Sequence, residues 1–232
     1  MMRERPDISP RAALANNRWF AALSAPLQTA LIDAAVIRAV PTGRWIYGSG
    51  DAPRGLYAVL EGTALVYVTL PHVEDVLVHA TGPGEIFGHA AQVARGPRLA
   101  TVLAARPSTF LFLSERALAG IASRHPEVWQ HLTRLLYEQL GEALTLLAQT
   151  LSQSIGSRLA NRLLQLSRSG PNHDAPICLS QSQVAELLGV ARKTVNHLLQ
   201  DLAHQGAIEL RYRQIAVRDA KALMALARKA QE

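Results

Sequence analysis

Near the C-terminal end, Arg192, Lys193, Asn196, His197 and Gln200 are spaced to lie along one side of a helix. Each carries a donor or an amide suited to phosphate oxygens and base edges, and an arginine can engage guanine O6 and N7 at once. The chemistry on offer is nucleic-acid recognition. An ordinary solvated helix face uses the same residue types, so the framework that holds them decides between the two.

That framework reads as a helix-turn-helix over residues 180–208. Ser180 is suited to cap a helix start, and Val184, Leu187 and Leu188 follow on one face. Gly189 stands where a helix must end in a residue free to adopt positive φ, with Val190 tucked under the turn. A second helix over residues 191–205 turns Val195, Leu198, Leu199 and Leu202 inward. The spacing from Ala185 through Gly189 to Val195 fits a DNA-reading turn. Beyond it, two short strands over residues 208–211 and 214–217 make a wing. Arg211, Tyr212 and Arg213 lie at its turn, with Arg211 and Arg213 placed for phosphate contact. Asp219 then caps a closing helix from Ala220.

The charge follows the same division. The chain of 232 residues carries a net charge of +6. From Gln153 onward there are eleven basic residues against six acidic, while the preceding part is nearly balanced at thirteen against twelve. The excess therefore sits where a polyanion would be met. No phosphate loop, nucleophile elbow, metal-ligand spacing or paired carboxylates mark an enzyme or a metal site. No stretch of about 18 apolar residues is long enough to span a membrane. Residues 1–17 hold Arg3, Arg5 and Arg11 without an apolar run, and read as a loose leader. Cys178 is the single cysteine, which excludes an internal disulfide and a four-cysteine cluster, and places the protein in the cytoplasm. In an apolar strand it reads as a small buried hydrophobe.

Further elements precede the helix-turn-helix. Residues 19–36 are patterned as a helix anchored by Phe20, Leu23, Leu27, Leu31 and Ile32. Short apolar runs follow over residues 44–47, 55–60, 63–70, 73–81, 84–88 and 100–113, with turn signals about every 8–12 residues, as in an antiparallel sandwich or barrel. A helix over residues 114–123 leads to a long one that Pro126 opens and that runs to Ser152. Two leucine seams are available on it, one through Leu136, Leu140, Ala143 and Leu147, the other through Leu140, Leu144, Leu147 and Leu151. Either has the spacing of a dimeric coiled coil, and a helix buried within one chain has it too. A break over residues 152–157 reads as a hinge, residues 158–167 as the first helix of the last domain, and residues 169–175 as a polar loop.

The order of roll, long helix and winged helix-turn-helix resembles the catabolite activator and fumarate–nitrate regulator (Crp/Fnr) family of bacterial transcription factors. The resemblance starts at Trp19. It rests on residues 55–62 (GLYAVLEG), 83–88 (PGEIFG), 180–189 (SQSQVAELLG) and 192–195 (RKTV). It implies an α+β fold: residues 1–124 as a cyclic-nucleotide-binding-like β-roll, 125–152 as a dimerisation helix and 153–232 as the DNA-binding domain. It also implies a homodimer on a palindromic operator in double-stranded DNA, RNA polymerase as partner, and a small-molecule effector if the roll senses one. A receptor acting through protein partners is the competing reading.

The family's nucleotide cassette pairs Gly-Glu with a later Arg-Ser or Arg-Thr. The glutamate accepts from the ribose hydroxyl, and the arginine meets the cyclic phosphate. In this sequence the corresponding effector-pocket positions are Gly88, His89, Arg98 and Leu99. The carboxylate and the hydroxyl are missing, and Arg98 beside Gly96 and Pro97 reads as a loop charge. Ala143 and Leu144 stand where the cyclic-AMP receptors carry an adenine-binding Thr-Ser pair. A response to cyclic AMP is therefore not expected. His72, His79 and His89 are of the type that ligates haem, but their spacing does not demand it. No cofactor is assigned. In the recognition helix Arg192 matches the family's first arginine, Lys193 replaces its glutamate and His197 its second arginine, so the half-site should differ from the family's usual one. Gln181 and Ser182 are expected on phosphates.

Overall fold

The computed structural model describes residues 9–72, 75–168 and 175–228. Three short helices come first: α1 (Pro10–Leu14), α2 (Arg18–Ala21) and α3 (Ala25–Asp33). Eight strands follow: β1 (Val36–Val40), β2 (Trp45–Tyr47), β3 (Gly55–Glu61), β4 (Ala64–Val68), β5 (Val76–Thr81), β6 (Ile86–Phe87), β7 (Thr101–Ala104) and β8 (Ser108–Ser114). Helix α4 (His89–Ala94) sits between β6 and β7. Then come α5 (Glu115–Ala122), the long α6 (Glu127–Ser152), α7 (Ile155–Arg168), α8 (Gln181–Leu188) and α9 (Arg192–His204). The hairpin β9 (Ile208–Arg211) and β10 (Gln214–Val217) leads to α10 (Ala220–Ala227).

Two four-stranded antiparallel sheets, ordered β1-β8-β3-β6 and β2-β7-β4-β5, face each other as the roll. Between them lies an interior of Tyr57, Val59, Ala64, Phe87, Val102, Phe110 and Phe112. The outer face of the first sheet (Leu56, Ala58, Leu60, Leu111 and Leu113) is covered by the N-terminal helices, α5 and the start of α6. Alternation along each strand thus feeds two separate apolar layers, one per face.

Several sequence expectations change. Residues 19–36 are not one helix. Ser24 accepts a hydrogen bond from the Leu27 N–H and Pro26 follows, restarting the chain as α3, and Val36 already belongs to β1. The leader is not loose throughout, because Ser9 caps α1 and Leu14 is buried in the same core as Trp19. Residues 1–8 lie outside the described ones, as do 169–174 of the expected polar loop. The run 100–113 divides at Pro107 into β7 and β8, since proline cannot donate to the ladder. Helix α4 was not foreseen: six residues are too few to establish a period.

The long helix changes character along its length. Val128, Leu132 and Leu135 are buried in its first half, where the Trp19 indole N–H donates to the His131 carbonyl at 2.6 Å. Beyond Leu136 the side chains emerge. Gln153 is extended at the end of α6 and α7 begins two residues later. The break expected over 152–157 is therefore confined to Gln153 and Ser154, and the helix expected from Arg158 already starts at Ile155.

Candidate nucleic-acid interface and roll interior

Local chemistry sets the helix-turn-helix. The Ser180 side chain accepts from the Gln183 N–H at 3.2 Å, while the Gln183 side chain accepts from the Ser180 N–H at 2.8 Å, a reciprocal cap worth about 1 kcal/mol. Gly189 ends α8 at φ 65°, ψ 38°, where a Cβ would be strained. Val195, Leu199 and Leu202 bury one face of α9. Arg192, Lys193, His197 and Gln200 are exposed on the other, with Asn196 half-buried. Sequence reasoning missed a carboxylate there: Asp201 Oδ2 lies 3.7 Å from His197 Nε2, one turn along the helix. Ser182 is exposed and Gln181 half-buried at the first turn of α8.

In the wing, Arg211 pairs with Gln214 across the hairpin, and Tyr212 and Arg213 form its tip. Tyr212 is 89% exposed and Arg213 adopts φ 55°. Glu209 organises this corner. It accepts from Arg211 Nε at 2.6 Å and Arg218 Nε at 3.0 Å, and these arginines hold its carboxyl below the usual carboxylate range. Neither Glu209 nor Arg218 was singled out beforehand; both lie on the hairpin's flanks, where pairing rather than spacing joins them.

The roll interior brings three of the four expected effector residues together. Gly88 precedes α4 at φ 82°, and a Cβ there would meet Arg98 Nη1 at 2.8 Å, so the glycine leaves the space the guanidinium occupies. Arg98 is not a loop charge. It is buried, and its two terminal nitrogens donate to the Gly88 and Gly55 carbonyls. His89 is 1% exposed, and neither ring nitrogen has a hydrogen-bond partner. Burial, and then the Arg98 charge, push its pKa down to about 4, so the ring is neutral near pH 7. Leu99 departs from expectation: it is 77% exposed and does not stand in the interior in place of the cassette hydroxyl.

Aromatic rings fill the adjacent space. Tyr57 stacks on Phe87 with centroids 5.3 Å apart, and Tyr47 and Phe112 tilt against Tyr57. Burial raises the Tyr47 phenol to about 12. Among the described residues no cluster of three His, Cys, Asp or Glu side chains could hold a metal. His79 sits 3.7 Å from Glu85 instead. Cys178 is half-buried rather than fully so, and receives a hydrogen bond from Arg106 at 2.8 Å.

Comparison with known proteins agrees with this architecture. A model of the cyclic nucleotide-binding domain matches residues 37–125, and one of the Crp-like helix-turn-helix domain matches residues 157–226. The cyclic AMP receptor protein of Thermus thermophilus is 30% identical over 191 residues, covering 82% of this chain and 87% of the relative. The chain belongs to the Crp/Fnr family of DNA-binding transcription regulators. A second relative of the family, the CRP-like cAMP-activated global transcriptional regulator of Mycobacterium tuberculosis, is 28% identical over 193 residues, covering 81% and 86% of the two chains. The FixK2 structure from Bradyrhizobium japonicum has a similar fold, with a TM-score of 0.73 at 22% identity over 85% of this chain and 99% of that one. The protein is a regulator, not an enzyme, and no helix among its described residues is long and apolar enough to cross a membrane.

Proposed function

We propose that this Crp/Fnr regulator is a homodimer that binds a two-fold-symmetric operator, controls transcription by RNA polymerase and does not respond to cyclic AMP. The observation that carries the dimer is the leucine seam on α6. Leu140, Leu144, Leu147 and Leu151 are 54–74% exposed in the single chain, far more apolar surface than a solvated helix leaves open. A second copy of α6 covers it with knobs-into-holes packing and pairs the two heads. Each head then offers Arg192, Lys193, Asn196, His197 and Gln200 to a major groove, with Gln181, Ser182, Arg211 and Arg213 on the flanking phosphates.

Several observations support indifference to cyclic AMP, although two relatives are named for it. The guanidinium that would meet the cyclic phosphate is already bonded to the Gly88 and Gly55 carbonyls. Where a ribose hydroxyl needs a carboxylate, a neutral His89 stands, and Leu144 occupies an adenine position as part of the seam. Sedimentation equilibrium and selection of bound sequences from random DNA test the dimer and its operator together. A monomer at micromolar concentration, or selected motifs without two-fold symmetry, would overturn it. Isothermal titration with cyclic AMP tests the sensor reading, and micromolar binding would refute it.

A further inference from the structure

The outer face of the second roll sheet is apolar. The register places Leu65, Tyr67, Leu77, Ala80 and Leu103 on it, opposite the inward Ala64, Val66 and Val102. An antiparallel sheet with one solvated face carries polar residues there. Instead Leu65, Leu77 and Ala80 are buried in one continuous core with Leu159 and Leu163 of α7 and Val184 and Leu187 of α8. The DNA-binding head is therefore packed on its own roll, with α8 against β5.

A buried cation lies in this seam. Arg162 of α7 is only 7% exposed, and its guanidinium donates to the Val78 carbonyl of β5 at 3.4 Å and to Gln165 Oε1 at 3.1 Å. A charge so buried is tolerated only where its donors are engaged, and the fork of an arginine can reach two acceptors at once. A second tie crosses nearby, from Arg106 to Cys178. Arg192, Lys193, His197 and Gln200 are exposed and outside the seam.

We propose that Arg162 is a positioning residue which, with Leu77, docks each head on its own roll and so fixes the separation of the two recognition helices without a bound effector. This rests on the operator-binding dimer proposed above. A head swinging freely about Gln153 and Ser154 loses orientational freedom when it meets DNA; a docked head has lost it on folding, and binds more tightly and at one spacing.

The test uses full-length protein, the selected operator, and versions of it with the centre lengthened or shortened by one or two base pairs. Wild type should prefer the selected spacing by about tenfold or more, because both half-sites must be met in register. Arg162→Ala should weaken binding to the selected operator about tenfold and flatten the preference among spacings to within about twofold. Arg162→Lys, with charge but no fork, should restore it only in part, and Leu77→Ala, which leaves every charge in place, should flatten it in the same way. Circular dichroism establishes that each variant is folded, and Leu77→Ala gives the reading if Arg162→Ala does not fold. An unchanged spacing profile in the folded variants, or tighter binding to the selected operator, overturns the proposal. A wild-type chain that selects no symmetric DNA overturns the dimer reading itself and this inference with it.

Discussion

Arg98 places its guanidinium carbon 4.3 Å from the centre of the Tyr47 ring, inside the roll. The cation is thus held on three sides by the protein: a ring face and two backbone carbonyls. A desolvated cation–π contact is worth about 2 kcal/mol, so this arginine has a structural task that does not require a ligand. Arg98→Ala should destabilise the fold by about 3 kcal/mol, since two buried carbonyls lose their donor. Urea unfolding checks it; a loss below about 1 kcal/mol would mean that water replaces the guanidinium freely.

His89 makes stability depend on pH. Its folded pKa of about 4 lies below the ordinary value of 6.5, so between these values the unfolded chain binds more protons than the native one. Stability contributed at this site therefore rises from pH 4 to 6.5 and is flat on either side. The span is at most about 3 kcal/mol. His89→Gln should remove that slope, which denaturation curves at pH 4.5, 5.5 and 7 would reveal. An identical slope in wild type and variant would place the titrating group elsewhere.

Arg192 and Lys193 should fail differently. Arg192→Ala should cost about 1–3 kcal/mol of specific affinity and relax selectivity at one base position. Lys193→Ala should weaken all sequences alike and lower the salt slope by about one. Binding isotherms on operator and scrambled DNA over a range of salt separate the two. Equal losses on both DNAs for Arg192→Ala would remove it from base readout.

The seam on α6 predicts its own disruption. Leu144→Asp with Leu147→Asp puts carboxylates in the centre of the proposed coiled coil while leaving the buried first half of the helix untouched. The variant should sediment as a folded monomer with operator affinity reduced at least about a hundredfold, because linked half-sites are no longer met together. A variant that remains a dimer would shift the interface to another surface.

Periodicity and punctuation made much of this protein legible from its sequence. Ser180, Gly189 and the apolar residues between them act through neighbours a few positions away, so the helix-turn-helix could be read directly, as could the wing and the long helix. The outward face of α9 followed from helical geometry, and the absence of a carboxylate at His89 from residue identity. Tertiary structure alone decided what lies far apart in the chain. It buried Arg98 against Tyr47 and the Gly55 carbonyl, turned Leu99 out to solvent, paired Glu209 with Arg218, and closed the outer face of β4 and β5 with the DNA-binding head. Local spacing encodes a helix face or a cap because the backbone fixes which residues meet; the partner of a buried charge or an apolar sheet face is fixed only when distant segments pack.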